Sequence, residues 1–403
     1  MGQRPYIKRR TSLYPFSSPP SQFFLTKLAT MSTKLVLCIL PLLFSAGWTS
    51  PARVEYPGFQ PPEGFRPGSG FRPSRSTPPN PQATPTIPPV EPVQPAASGT
   101  PRDGGYTPGN STGGGGGGGG KPTLPSGFKK IVFQDDFSTQ KAGALPDASK
   151  WTFDVGTSYP GGAANWGTQE IQTYTKDTKN IAITSDGSLA ITPIRNGESW
   201  TSSRIETNAA QDFTCPPNGK MRMEASIMVP NSDPATQMGI WPAFWSMGSS
   251  FRTNVTSWPG VGEIDMLEVS NGVGTVFQTA HCGVIDGGPC NEKTGLSSSA
   301  EFPRGQFVKV ACEVDRSAGG GDFNKEKLVW YVNDRPTKTI TGQEIGDAAF
   351  WNNLARTPKM MLLNVAVGGE FPDAKAGSKT PTAATVGGEQ SRMEVKYVAV
   401  YST

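Results

Sequence analysis

An all-β domain, a sandwich or a barrel, is expected over residues 126–403, and three observations predict it. Apolar residues alternate in short runs at period two, turn-forming residues part the runs at strand-like intervals, and no stretch beyond about ten residues keeps a helical period. Residues 130–133 (KIVF) open the series. Residues 181–183 (IAI) and 188–191 (SLAI) follow, separated by Ser185-Asp-Gly, whose glycine and short polar side chains suit a tight turn. After the breaker Pro216-Pro-Asn-Gly come residues 221–229, then 308–314, 327–332 closed by Asn333-Asp, 359–365 and 393–401. Residues 344–355 come nearest to a helical pattern.

The remaining chain has another composition. Residues 51–125 hold 18 Pro and 16 Gly, including eight consecutive glycines at 113–120, and bury too little apolar surface to offset the entropy of ordering; they are expected to be a disordered linker. Residues 126–403 carry 25 Lys and Arg against 29 Asp and Glu, although the whole chain is formally +4. A mildly acidic domain without a basic run argues against nucleic acid as the partner.

Residues 31–50 have the form of a secretory signal peptide. A lysine at 34 precedes the apolar run 35–44 (LVLCILPLLF), and the small residues Ser45, Ala46 and Gly47 follow. The run spans about half a bilayer as a helix, so no membrane contact is expected once it is cleaved; an uncleaved anchor is the alternative. Residues 1–30 are an N-terminal extension in this reading, and the product is secreted, extracellular or held in a cell wall. Loss of the leader removes Cys38 and leaves Cys215, Cys282, Cys290 and Cys312, an even number with three possible pairings. Cys282 and Cys290 bracket a Gly/Pro loop and are the favoured pair, with Cys215 and Cys312 left to each other. Zinc is disfavoured, since there is no Cys-x-x-Cys and His281 is the only histidine. Asn110-Ser-Thr and Asn254-Val-Thr are glycosylation sequons.

The chemistry concentrates in Gly262-Glu-Ile-Asp-Met-Leu-Glu268. Three carboxylates in an apolar strand are costly unless they work or are paired. At period two Glu263 and Asp265 share a face and Glu268 falls on the other, so a one-residue bulge at Met266 or Leu267 is required to bring all three together. Two carboxylates about 5–5.5 Å apart suit retaining glycoside hydrolysis, one as nucleophile and one as acid/base, with Asp265 tuning both. A metal-binding or merely solvated acidic strand is the competing reading. Trp258 lies ahead across a Pro-Gly turn, and Trp241 and Trp245 share a strand face; indole faces suit sugar rings, although a Trp in a β domain is more often core.

The motif resembles the signature of family 16 glycoside hydrolases in the longer form that laminarinases carry. The resemblance extends to Gln169-Glu-Ile-Gln-Thr-Tyr-Thr175, Ser203-Arg204, Gly239-Ile-Trp-Pro-Ala-Phe-Trp245, His281-Cys-Gly283, Leu363-Asn-Val-Ala-Val-Gly-Gly369 and Val395-Lys-Tyr-Val-Ala-Val-Tyr401. It implies a concanavalin A-like β-jelly-roll sandwich with a concave cleft, and a laminarinase-like endo-1,3(4)-β-glucanase of the fungal type, working as a monomer on β-glucan without a cofactor. By position it implies Glu263 as nucleophile, Asp265 as modulating acid and Glu268 as acid/base. Trp245 and Trp258 would stack on sugars, with Trp241 a further candidate. Arg204 and Asn165 would bond hydroxyls, and His281 would sit beside the scissile bond. For Arg204 a structural partnership with Glu170 is the alternative. Several members of the family hold a structural calcium through an acid in the last strand; Lys396 occupies that place here, so no metal is expected. Glucan transglycosylation and a non-catalytic glucan-binding module are the remaining alternatives.

Overall fold

The computed structural model of the protein describes residues 120–403. The leader at 31–50, most of the linker, Cys38 and the sequon at Asn110 lie outside the described residues. In chain order the early strands are β1 (Lys130–Asp135), β2 (Trp151–Asp154), β3 (Thr173–Tyr174), β4 (Ile181–Ile183), β5 (Leu189–Ile191), β6 (Ile194–Asn196), β7 (Ser199–Ser202) and β8 (Arg204–Thr207). The longer central strands follow as β9 (Lys220–Met228), β10 (Ile240–Gly248), β11 (Glu263–Glu268), β12 (Thr275–His281), β13 (Leu296–Glu301) and β14 (Val308–Asp315). Then come β15 (Lys327–Val332), β16 (Arg335–Thr341), β17 (Lys359–Val367) and β18 (Met393–Ser402). Every run read from alternation is a strand. The near-helical stretch is two short helices, α1 (Gly342–Ile345) and α2 (Ala348–Ala355), capped by the side chains of Thr341 and Asp347. A third, α3 (Glu370–Ala376), has too few turns to show a period in the sequence.

Two antiparallel sheets stack as the expected jelly-roll sandwich. One has the order β16-β15-β14-β9-β18-β5-β4 with β1 also on β18; the other has the order β13-β12-β11-β10-β17-β8-β2. Alternate residues from both fill the space between them: Met221, Met223, Ala225 and Ile227 of β9 and Val308, Val310, Cys312 and Val314 of β14 meet Ile264 of β11 and Leu363, Val365 and Val367 of β17. A small third sheet, β3-β7-β6, has its own strand pairing but packs on the sandwich, with Trp200 of β7 in the core and Tyr174 of β3 bonded to Asn364 of β17.

Cys282 and Cys290 form the expected disulfide. The pairing of Cys215 with Cys312 is corrected: both are buried free thiols. The sulfur of Cys215 rests 3.4 Å from the carbonyl of Val314, two residues along β14 from Cys312. Two residues of strand are about 6.6 Å, beyond the reach of a bridge whose Cβ atoms must approach to about 4 Å. Burial pushes the Cys215 thiol up to about 12, so it stays protonated and inert.

At the end of the chain, Lys396 directs its ammonium at the Asp186 carbonyl (3.0 Å) and carboxylate (3.4 Å) and at the Ser188 hydroxyl (3.5 Å). A cation of the protein's own already faces these oxygens, so millimolar calcium is expected to leave the melting midpoint unchanged; a calcium-dependent rise would overturn this. Asn254 is exposed and its amide oxygen accepts from the Thr256 hydroxyl at 2.8 Å, within its sequon.

Candidate active site

The three carboxylates of β11 share a face because of a bulge at Met266. Against β10, Trp245 pairs with Asp265 and Phe244 with Leu267, leaving Met266 without an opposite number. Against β12, Asp265 faces Thr279 and Glu268 faces Phe277. The extra residue reverses the parity, so Met266 and Leu267 are both buried in the core and Glu268 rejoins Glu263 and Asp265 on the outer face. Carbonyls at the bulge are satisfied from the core side. Trp330 of β15 donates its indole N–H to the Asp265 carbonyl at 2.8 Å, and the Gln278 amide of β12 donates to that of Met266 at 3.2 Å.

The three acids are in different environments. Asp265 is 3% exposed, and its Oδ2 lies 3.5 Å from His281 Nε2 without hydrogen-bond geometry and has no other donor. Burial first, then the charges of Glu263 and Glu268, hold it well above the ordinary carboxylate range. Glu268 accepts from the Trp241 indole at 3.2 Å and is pushed up to about 7 by burial, with His281 opposing and Glu263 adding. Burial raises Glu263 as well and the charge of Glu292 adds to it, while His281, Arg204 and a hydrogen bond from Trp258 pull against it. Glu263 thus has Arg204 acting on it besides the His281 that both share, and Glu268 is the one that keeps a proton into the neutral range.

His281 ends β12 directly opposite Glu263. Its Nδ1 lies 2.8 Å from Glu292 Oε2, and its ring centre is 5.6 Å from that of Trp258. Glu263, Asp265 and His281 each offer a donor atom within 4.8 Å of the others.

Trp245 and Trp241 project from the same face of β10, as parity requires, and do different things. Trp245 donates to the Asn364 side chain at 2.8 Å and lies 4.8 Å from the Arg204 guanidinium. Trp241 packs 5.2 Å from Phe371 besides bonding Glu268. Arg204 is nearly buried, and its ion-pair partner is Asp154 at 3.1 Å, not Glu170. Glu170 is held instead by Thr168, Gln172 and Tyr174. The guanidinium also lies 4.6 Å from Trp166 and 5.3 Å from Tyr159, a cage of three rings with Trp245. Asn165 is exposed on the turn that carries Trp166, its amide 3.5 Å from Gln169, and it touches none of the three acids. Sequence reasoning missed Glu292, Tyr159, Trp166 and Phe371. Asn364 lay inside a quoted motif without a role; Glu292 had only its nearness to Cys290 as a signal.

Residues 226–339, which include all three acids and His281, match a family model described as XgeA-like, catalytic GH16 domain. An endo-1,3-beta-glucanase from Streptomyces sioyaensis, known from a 1.5 Å crystal structure, is 41% identical, with 70% of this chain and 99% of that one covered at a TM-score of 0.65. The glucan endo-1,3-beta-glucosidase A1 of Niallia circulans is 28% identical over 70% of this chain and 39% of its own length. The clotting factor G alpha subunit of Tachypleus tridentatus is 26% identical over 68% of this chain and 34% of its own. This chain thus matches between a third and two fifths of the length of those two relatives.

Proposed function

Because this chain belongs to glycoside hydrolase family 16, we propose that it hydrolyses internal β-1,3 bonds of glucan with retention of configuration, outside the cell and as a monomer. The observation that carries this reading is the Met266 bulge, which assembles three carboxylates of unequal proton affinity on one sheet face. In the first step the Glu268 proton passes to the glycosidic oxygen while a Glu263 oxygen bonds the anomeric carbon and the carbon–oxygen bond to the leaving sugar breaks. In the second, Glu268 takes a proton from water, the water oxygen bonds the same carbon and the Glu263 ester breaks. Two inversions give retention. Asp265, buried between its neighbours with its proton affinity raised, is placed to hydrogen-bond whichever carboxylate is charged at each stage.

Trp245, Trp258 and Trp241 supply apolar faces for successive sugar rings in this reading, and Asn165 and Arg204 supply donors for hydroxyls. Arg204 also supports Trp245 from behind. Export is supported by the Cys282–Cys290 bridge, the exposed Asn254 and the leader-like segment at 31–50.

The test is release of reducing ends by the full chain from laminarin and from mixed-linkage glucan, across pH. Glu268 acts as an acid only while protonated. The rate on laminarin is therefore expected to fall about tenfold per pH unit above about 7, and to fall again on the acid side, where the Glu263 nucleophile takes up a proton. Oligosaccharides that lengthen without net release would replace hydrolysis by transglycosylation. Binding with neither outcome would leave a glucan-binding module.

A further inference from the structure

We infer that Glu292, two residues past the Cys282–Cys290 disulfide, is a positioning residue for this reaction: it fixes the ring of His281 and keeps it an imidazolium facing Glu263 and Asp265. The inference rests on the hydrolase reading and adds a residue outside every motif of the sequence.

The carboxylate of Glu292 is fully buried, and each of its oxygens is in use. Oε2 lies 2.8 Å from His281 Nδ1, and Oε1 accepts the backbone N–H of Cys282 at 2.8 Å. One side chain thus grips both the ring of His281 and the peptide that follows it. A buried carboxylate is stabilised by hydrogen-bond donors and by opposite charge; Glu292 has the Cys282 N–H as donor, and His281 is its one ion-pair partner among the described residues. The loop holds Glu292 in turn: its N–H and carbonyl exchange hydrogen bonds with Gly287 at 2.7 and 2.9 Å, and the disulfide joins Cys282 to Cys290, two residues before it. A Cβ at Gly295 would come within 2.7 Å of His281 Cε1 and 2.9 Å of its Nδ1, so the backbone at Gly295 packs closely against this edge of the imidazole. With Nδ1 committed to Glu292, Nε2 is left to face Asp265 at 3.5 Å.

The charges around the ring explain the consequence. Glu263, Asp265 and Glu268 of β11 face it on one side and Glu292 on the other; Arg204 of β8 and Lys359 of β17 act on Glu263. Burial alone would drive the imidazolium to lose its proton, and the surrounding carboxylates more than offset it, Glu292 by a direct hydrogen bond. An imidazolium opposite Glu263 favours the ionised form of that acid, the form in which a nucleophile attacks.

Glu292→Gln keeps the shape and an acceptor oxygen and removes the charge. Taking a negative charge away makes every nearby proton easier to lose, so both limbs of the pH profile on laminarin are expected to move to lower pH, by about one unit. At the wild-type optimum kcat is expected to fall about tenfold with KM within twofold. His281 is the only histidine in the chain, so one imidazole resonance in a 15N-histidine NMR titration reports it without turnover. That resonance is expected to titrate above about 6.5 in the wild type and about one unit lower in Glu292→Gln. A lower kcat with an unmoved profile and titration would make Glu292 a loop-packing residue and overturn the inference. So would a wild-type imidazole that titrates below its ordinary value, a measurement that stands even if the variant does not fold. A wild type that releases no reducing ends while His281 titrates as expected would sink the hydrolase reading and leave the Glu292–His281 pair intact.

Discussion

Glu263→Gln is expected to lower release of reducing ends from laminarin by about 10⁴-fold or more, because an amide forms no ester with the anomeric carbon. Stability moves the other way. Burial raises the proton affinity of Glu263, which means that its charged form is disfavoured in the folded domain, so the neutral amide is expected to leave the melting midpoint unchanged or higher. Glu268→Gln is expected to differ in kind. On laminarin it loses on the order of 10²–10⁴-fold, but an aryl β-glucoside oligomer with an acidic phenol as leaving group needs no proton and keeps most of its rate in the first step. A burst of phenol followed by slow turnover in Glu268→Gln, and none in Glu263→Gln, assigns the two roles. Equal loss on both substrates in both variants would reverse or merge them.

The second large effect is on stability and concerns Arg204. Its side chain is 7% exposed and that of Asp154 6%, and three aromatic rings lie against the guanidinium, so solvent screens the pair little. Arg204→Ala leaves Asp154 buried without its partner and empties the space between Tyr159, Trp166 and Trp245. The expected cost is about 3–5 kcal/mol, a drop in melting midpoint on the order of 10 °C for a domain of this size. Arg204→Lys is expected to recover little of it, because a compact ammonium neither stacks on three rings nor reaches Asp154 in the same geometry. A midpoint within about 2 °C of wild type in Arg204→Ala would show the pair to be peripheral to stability.

Between them these residues show how far a sequence carries the reasoning. Alternation at period two is written into each strand by the pleat, so 181–183 and 327–332 were legible as strands to the residue. The bulge was legible for the same reason: three acids in one strand cannot share a face at strict parity, and Met266 takes the slack. The Cys282–Cys290 bridge closes only eight residues, a separation at which turn residues alone bring the ends together.

What only the tertiary structure decided are contacts between elements remote in sequence. Arg204 meets Asp154 fifty residues away because β8 and β2 are neighbours in the sheet, with the two residues in register. Cys215 misses Cys312 because its loop passes β14 two residues further along. Glu292 reaches His281 because a disulfide-closed loop folds back over the end of β12. A residue's face is set by its own backbone and its chain neighbours, and so can be read locally. Its partner is set by which strand lies alongside and in what register, which the packing of the whole sandwich decides.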